Sequence, residues 1–499
     1  MEILSNVAYG FSICLQPMNL LYCFMGVFFG TLLGVLPGIG STAGVALLLP
    51  VTFHLPTAPA IIMLAGIYYG CMYGGSTTSI LVNIPGESSS VMTCLDGYQM
   101  AKQGRAGQAL GIAAFGSFIA GTVAIVGVML ISPPLVRVAL SFGPPEYAAL
   151  MMLGIMLLSY LATESIILSL MMACLGLLLG TVGLDNFTSK PRFLFGTINL
   201  MDGIGIVPIL MGLFGIPEVL INLEENAEVE LIYKEKIKGL LPSKQDWKDS
   251  AGAITRGTLL GFFVGILPGG GATLSSFLSY ALEKKVAKHP EQFGKGAIQG
   301  VAAPESANNS GASSAFIPLL TMGIPSNATI ALLMGALMIH GVQPGPSLMA
   351  KHPDVFWGVI TSMYVGNIML LVLNLPLIGI WVKILKIPYS ILFPFILIFC
   401  LLGTYSVSNS VSDLFILCIF AIVGYFMKKL KIGVAPLVLA YILSPMLETA
   451  LRQSLILSSG SFLIFLYRPI SASLLAVLGI LIFFNVYRSL FPKEIFSGN

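Results

Sequence analysis

The chain has 499 residues, of which 56% are hydrophobic and 9% are charged. Because a typical soluble domain carries about 25% charged residues, this composition cannot cover a water-facing surface, and lipid is predicted to be the solvent. The formal net charge of +3 is too small to indicate nucleic acid as a partner.

Long stretches without a charged residue predict membrane-spanning helices. No Asp, Glu, Lys or Arg occurs from Ile3 to Gly86, from Gly257 to Leu282 or from Ser306 to Ala350. About 20 apolar residues cross the hydrocarbon core as a helix, and a helix pairs all of its backbone polar groups there. We therefore predict an all-α integral membrane protein with about twelve hydrophobic segments. The alternating pattern of an outer-membrane barrel is absent.

Several other classes of protein are excluded by what the sequence lacks. The first basic residue is Lys102, so no cleavable signal peptide is predicted. The seven cysteines have no metal-ligand spacing, and we interpret them as small apolar packing residues. The motifs HExxH, GxSxG and GxxxxGKS/T are absent, which argues against a metalloprotease, a serine hydrolase and a nucleotide-driven pump. The chain is predicted not to be an enzyme.

The first motif interrupts a hydrophobic segment at residues 30–42, which read GTLLGVLPGIGST. Proline removes a backbone donor and glycine permits unusual backbone angles, so the helix is predicted to break there. Inside a membrane such a break is tolerated only in protein or beside a cavity. The helix that restarts would direct free N–H groups at an anion, and Ser41 and Thr42 can cap it. Candidate substrate-binding residues are Gly38, Gly40, Ser41 and Thr42.

A second break is predicted at residues 83–90, which read NIPGESSS. Its candidate substrate-binding residues are Asn83, Pro85, Gly86 and Ser88, and Asn83 is also a candidate sodium ligand. Glu87 is either a helix cap or an ion-coupling residue. Asp96, which follows in the same polar stretch, either pairs with Lys102 or Arg105 or senses the coupling ion.

The most polar stretch, residues 222–250, is interpreted as a linker between two halves, 1–221 and 251–499. The halves repeat: residues 261–273 read GFFVGILPGGGAT, and seven of thirteen positions are identical to residues 30–42 at a constant spacing of 231. Lysines and arginines occupy different loops in the two halves, which favours an inverted over a parallel repeat. Each half is then predicted to contain broken helices and a re-entrant hairpin.

The second half supplies the matching candidates. Its substrate-binding residues are predicted to be Gly269, Gly271, Thr273, Ser313, Pro325, Ser326 and Asn327. Within PESANNSG (304–311), Glu305, Asn308 and Asn309 are candidate ion-coupling residues, because an ionisable group at membrane depth is functional by default. Asn309 is a second candidate sodium ligand. The alternative for this segment is an interfacial turn in water.

With these motifs in place, the chain resembles the large membrane subunit of the tripartite tricarboxylate transporter family (TctA family). The resemblance covers most of the chain, with one departure at Gln99, where a proline is expected. It is carried by GVLPGIGSTAGVALLLP (34–50), YYGCMYGGSTTSILVNIPGESSSV (68–91), LDGYQMAKQGRAGQALG (95–111), GILPGGGAT (265–273), APESANNS (303–310) and IPLLTMGIPSN (317–327).

The resemblance implies a multi-pass subunit of a three-part importer in a bacterial inner membrane. A periplasmic solute-binding protein would deliver citrate or another small carboxylate, and a small four-helix membrane subunit would assist. A sodium or proton gradient would drive import, and no cofactor other than the coupling ion is implied. The alternatives are a stand-alone anion transporter without a binding protein, a passive channel, and an intramembrane enzyme using Glu305 or Asp96.

Overall fold

The computed structural model describes residues 2–36, 39–161, 166–185, 187–225, 239–385 and 389–490. Almost every described segment is helical, as the composition predicts. The described helices of the first part of the chain are α1 (Glu2–Cys14), α2 (Pro17–Val35), α3 (Gly40–Leu48), α4 (Thr57–Val82), α5 (Val91–Lys102), α6 (Ala106–Ala139), α7 (Pro144–Leu161), α8 (Ile166–Leu179), α9 (Ile206–Leu210) and α10 (Ile216–Glu225).

The described helices of the remainder are α11 (Lys244–Ile266), α12 (Gly271–Val286), α13 (Gln299–Ser314), α14 (Phe316–Met322), α15 (Ala328–Ile339), α16 (Leu348–Lys351), α17 (Pro353–Asn374), α18 (Ile378–Ile384), α19 (Tyr389–Ser408), α20 (Val411–Lys429), α21 (Ala435–Leu457), α22 (Ile464–Tyr467) and α23 (Pro469–Leu490). A π-helical segment, Met211–Gly215, joins α9 to α10. Short 3-10 turns cover Pro50–His54, Ser88–Ser90, Ile198–Leu200 and Pro290–Gln292.

Six helical segments in the described residues are long and apolar enough to cross a membrane. They are Pro17–Val35, Thr57–Val82, Ala106–Ala139, Ile206–Glu224, Pro353–Asn374 and Val411–Lys429. Several shorter apolar helices accompany them, including α3 and α15. The chain is therefore an all-α, multi-pass membrane protein.

The chain forms two compact units. Unit 1 comprises residues 1–137 and 204–434, and unit 2 comprises residues 138–203 and 435–499. These bounds differ from the two predicted halves, since each unit combines a segment of the first half with a segment of the second. Of the predicted linker, residues 226–238 lie outside the described residues, and α10 and α11 occupy its ends.

Unit 2 contains the strands of the described chain, β1 (Gly183–Leu184) and β2 (Pro191–Arg192), paired antiparallel. Asp185 follows β1 and binds two arginines: its carboxylate lies 3.3 Å from Arg192 and 2.8 Å from Arg452. Backbone N–H groups, that of Thr188 foremost, hold the pKa of the Asp185 carboxyl well below its usual range. This ionic cluster fastens the hairpin to α21.

In unit 1, two helix pairs approach each other backbone to backbone. A Cβ added at Gly34 of α2 would lie 2.5 Å from the carbonyl oxygen of Cys71 in α4. A Cβ added at Gly257 of α11 would lie 2.5 Å from the carbonyl oxygen of Ala303 in α13. Small residues at such positions let membrane helices pack closely. The pairs α2–α4 and α11–α13 thereby carry the breaks that follow α2 and α11.

Candidate functional site

Both predicted LPG breaks interrupt the helices of unit 1. Helix α2 ends at Val35 and α3 begins at Gly40, while α11 ends at Ile266 and α12 begins at Gly271. Gly40 and Gly271 have φ angles of 66° and 58°, in the left-handed region that glycine adopts without steric penalty. Gly38, one of the predicted site residues, lies outside the described residues. The sequence thus predicted both breaks at the correct positions.

The second pair of breaks also occurs where the sequence predicted it. Helix α4 ends in Asn83 and α14 ends in Gly323, each in the left-handed conformation. Each is followed by Ile-Pro and then by a new helical turn, Ser88–Ser90 or α15. Proline at Pro85 and Pro325 cannot continue a hydrogen-bonded ladder, so the chain turns before the helix resumes.

In the first half, the side chain of Glu87 joins the two breaks. Its carboxylate accepts a hydrogen bond from the backbone N–H of Ser41, in the first turn of α3. The same carboxylate accepts from the N–H of Ser88 at 3.2 Å and caps the turn Ser88–Ser90. Glu87 is therefore a cap for two helix starts. Its ion-coupling role remains a prediction.

In the second half, Asn327 and Ser326 join the breaks in a similar way. A Cβ added at Gly271 would lie 3.0 Å from the Asn327 amide nitrogen, and one added at Gly40 would lie 3.3 Å from a Glu87 oxygen. The backbone N–H of Gly269 donates to the Ser326 carbonyl at 2.7 Å. An amide in one half thus occupies the place that a carboxylate takes in the other.

The capping prediction for the hydroxyl residues is wrong. Neither α3 nor α12 has a side-chain cap from its own N-cap residue, because Ile39 and Gly270 hold those positions. Ser41, Thr42 and Thr273 lie inside the first turn instead, and their hydroxyls bond elsewhere.

These hydroxyls instead pair across the two halves. The Thr42 hydroxyl lies 2.8 Å from that of Thr329, at the start of α15, and the Ser41 hydroxyl lies 3.2 Å from it. The Thr273 hydroxyl lies 2.9 Å from that of Ser88. All four breaks therefore meet in one place, although each half supplies its part from a different stretch of sequence.

A cavity of about 320 Å³ opens beside the first-half breaks. It is lined by backbone and side chains of both motifs and by three residues from elsewhere in unit 1, Phe214, Glu218 and Lys428. Lys428 forms an ion pair with Glu218 at the cavity. The motif residues that line the cavity are Gly40, Ser41, Thr42, Pro85, Gly86, Glu87 and Ser88.

Glu305 forms a separate, fully buried polar cluster. Its carboxylate accepts from Ser76 at 2.5 Å, from Asn308 at 3.3 Å and from the Thr93 hydroxyl. The residues of α13 around it are buried, so the alternative of an interfacial turn in water is wrong. Within the described residues its donors are all neutral, and Ser76 also lies 3.0 Å from the Met72 carbonyl.

The other predicted residues are distributed around these two places. Asn309 donates to Ser117 at 2.7 Å and to the Glu305 carbonyl at 3.1 Å, not to its carboxylate. The Ser313 hydroxyl donates to the Asn309 carbonyl at 3.0 Å. Asn83 is exposed, and in the described part of the chain no hydrogen bond joins it to Asn309. The sodium sites proposed at Asn83 and at Asn309 remain predictions.

Asp96 is fully buried and holds the loop before α13. One carboxylate oxygen accepts from the N–H groups of Gly294, Gly296 and Ala297 at 2.8–2.9 Å, and the other accepts from Tyr280 at 2.8 Å. Among the described residues these donors, rather than Lys102 or Arg105, are its partners. Asp96 therefore has a structural role, because it holds the loop before α13 to α5. Ion sensing by Asp96 remains a prediction.

Sequence reasoning missed several residues that belong to these sites. Ser76 lies in the stretch YYGCMYGGSTTSILVNIPGESSSV (68–91), which contributes to the family resemblance and was a usable signal. Thr93, Lys428 and Glu218 belong to no motif and become neighbours of the site only through the fold. Tyr68, which accepts a hydrogen bond from Asn327 at 3.1 Å, was also missed.

Comparison with known proteins agrees with the motifs. The family described as tripartite tricarboxylate transporter TctA family matches residues 20–439. A protein of Agrobacterium vitis, described as an uncharacterized 52.8 kDa protein in the TAR-I ttuC' 3'region, is 50% identical over 477 residues, 96% of this chain and 95% of that protein. Another, described as an uncharacterized protein in the TAR-II ttuC' 3'region, is 49% identical over 217 residues, 44% of this chain and 90% of that protein. No solved structure matches.

Replacing Asp96 by alanine is expected to lower the free energy of unfolding by about 3 kcal/mol or more, because a buried donor without a partner costs about 1–3 kcal/mol and the buried N–H groups of Gly296 and Ala297 and the Tyr280 hydroxyl lose theirs. Thermal unfolding of the purified protein in detergent measures the loss. Asp249→Ala is the matched control, since Asp249 is exposed and accepts a hydrogen bond from Gln245, one turn earlier in the same helix. An Asp96→Ala variant that unfolds at the wild-type temperature would contradict the structural role of Asp96.

Proposed function

The chain belongs to the tripartite tricarboxylate transporter TctA family, and we propose that it forms the membrane pathway of a binding-protein-dependent importer of small carboxylates. The observation that carries the proposal is the meeting of four helix breaks, of which the two in the first half line one cavity. The family is that of the large membrane subunit of a three-part transporter. We propose a small membrane subunit and a periplasmic solute-binding protein as its partners, and a bacterial inner membrane as its location.

The cavity has properties that suit a small anion. Its volume of about 320 Å³ falls in the range of small-molecule sites, roughly 300–1,000 Å³. The first turn of α3 lines it, and Ser41, Thr42 and Ser88 contribute hydroxyl side chains to its lining. A tricarboxylate such as citrate, or a related di- or monocarboxylate, is the substrate class that we propose.

The site also supports the inverted repeat that the sequence predicted. Gly40 and Gly271 take the same left-handed conformation, and Asn83 and Gly323 end their helices in the same way. The hydroxyl contacts are reciprocal, since Thr42 meets the start of α15 and Thr273 meets Ser88. We propose that each half contributes a re-entrant hairpin and that a pseudo-two-fold axis in the membrane plane relates them.

The Glu305 cluster is proposed to carry the coupling ion. A buried carboxylate surrounded by neutral donors needs either a proton or a bound cation, because an uncompensated charge is costly away from water. The hydroxyls and amides around it are oxygen-rich, which suits Na⁺ as well as H⁺. Import would then be driven by one of these gradients.

The loops that follow α3 and α12 test the inverted repeat. His54 and Lys288 are both exposed at these loops. Single cysteines at the two positions are expected to react with a membrane-impermeant maleimide from opposite faces, in a background where the exposed Cys174 and Cys418 are serine. The same background without a new cysteine is the control. Labelling of both positions from the same face would contradict the inversion.

Uptake into proteoliposomes tests the proposed function. Vesicles would contain this chain with its small membrane subunit, and labelled carboxylates would be added with and without the binding protein under separate sodium and proton gradients. We expect accumulation that requires the binding protein and one gradient. Accumulation without the binding protein would identify a stand-alone transporter, and equilibration indifferent to both gradients would identify a passive pathway.

Glu305→Gln is expected to lower gradient-driven accumulation at least about tenfold, because the amide keeps the shape of the carboxyl group and one acceptor oxygen but can neither bind H⁺ nor balance the charge of Na⁺. The initial rate of uptake at equal protein density measures the effect. Glu291→Gln, in an exposed turn, is the control. Accumulation at the wild-type rate in Glu305→Gln would remove Glu305 from the coupling role.

A further inference from the structure

The ion pair between Lys428 and Glu218 lies at the cavity but belongs to none of its motifs. Lys428 is near the end of α20, and Glu218 is in the first turn of α10. Both line the cavity together with Ser41, Thr42 and Ser88. We propose that the Lys428 ammonium binds a carboxylate group of the substrate and that Glu218 competes with the substrate for it. This inference rests on the proposed function.

The charges of the cavity lining are the first support. Two carboxylates, Glu87 and Glu218, and one ammonium, Lys428, line it. Glu87 already accepts the Ser41 N–H, which is one of the donors that an incoming anion would need. A carboxylate substrate therefore enters a lining with an excess of negative charge, and Lys428 is the cation in that lining that can offset its desolvation.

The donor capacity of Lys428 is the second support. An ammonium group has three N–H donors, so it can bind a second carboxylate as well as Glu218 or exchange one for the other. Hydrogen bonds between ionised partners are about twice as strong as neutral ones, so a bond from Lys428 to the substrate is stronger than a hydroxyl contact in the cavity, and loss of the bond to Glu218 offsets part of that gain. The side chain is partly exposed, at 39%, which leaves it accessible from the cavity.

The packing of α20 is the third support. A Cβ added at Gly212, in the π-helical segment, would lie 2.6 Å from the Cβ of Phe420, and one added at Gly424 would lie 2.7 Å from the Pro217 ring. These contacts fix α20 against α10 and against the π-helical segment, which also places Phe214 in the cavity lining. Single-turn π-helical segments are frequent at functional sites.

The next residue along the chain provides a matched comparison. Lys429 forms an ion pair with Glu224 at 2.7 Å, and this pair joins the same two helices, α20 and α10. Both side chains are about half exposed, and neither lines the cavity. A purely structural role for ion pairs between α20 and α10 would thus be shared by both pairs, whereas substrate binding would be confined to Lys428.

The test measures how citrate and succinate raise the unfolding temperature of the detergent-purified protein, at matched ionic strength. Ligand that binds the folded state raises this temperature with concentration. We expect Lys428→Met to weaken the apparent affinity at least about tenfold, Lys428→Arg to restore it to within a few-fold, and Glu218→Gln to tighten it about threefold or more. Lys429→Met and Glu224→Gln should match the wild type.

Opposite effects of Lys428→Met and Glu218→Gln on the apparent affinity would distinguish competition for Lys428 from a purely structural ion pair. Equal weakening by Lys428→Met and Glu218→Gln would overturn the inference, and so would unchanged affinity in Lys428→Met. The unfolding temperature of Lys428→Met without ligand shows whether this variant folds. If it does not fold, Lys428→Arg and Glu218→Gln still test the inference. Absence of any stabilisation of the wild type by either acid would also overturn the inference, while uptake in proteoliposomes would still decide the proposed function separately.

Discussion

A membrane protein that breaks its helices inside the bilayer must find partners for the backbone groups that each break frees, because hydrocarbon offers none. Here the partner at the start of α3 is the Glu87 carboxylate, which comes from the next break along the chain. In the second half, Gly269 donates to the Ser326 carbonyl. Each break is thus stabilised by the other break of its half, and the hydroxyl pairs join the two halves.

The two halves solve this problem with different chemistry. Glu87 brings a formal negative charge to the first-half breaks, whereas Asn327 brings a neutral amide beside Gly271 in the second. A carboxylate at a helix start is favourable for folding, yet it repels the anions that the same N–H groups would attract. A site with this conflict needs positive charge from outside the motifs, and α20 brings Lys428 to the cavity.

The parts of the site that the sequence predicted are those governed by local backbone chemistry. Proline and glycine fix where α2, α4, α11 and α14 end, so the breaks were found at the correct residues. Contacts between distant segments were not predictable, because no periodicity encodes them. Asp96 bonds a loop about two hundred residues away, and Lys428 lies in a helix whose sequence reads as an ordinary span. The capping error arose similarly, since Glu87 supplied from afar what Ser41 and Thr42 were expected to supply locally.

The glycine contacts between α2 and α4 and between α11 and α13 have a mechanical consequence. Because the two backbones of each pair are in direct contact, no flexible side chain lies between them to absorb a shift, so each helix pair should move as a rigid body. The hydroxyl pairs between the halves are different, since either oxygen can donate and neither carries charge. A shift of the second-half breaks against the first-half breaks should therefore occur at these exchangeable hydroxyl contacts rather than within the glycine-packed helix pairs.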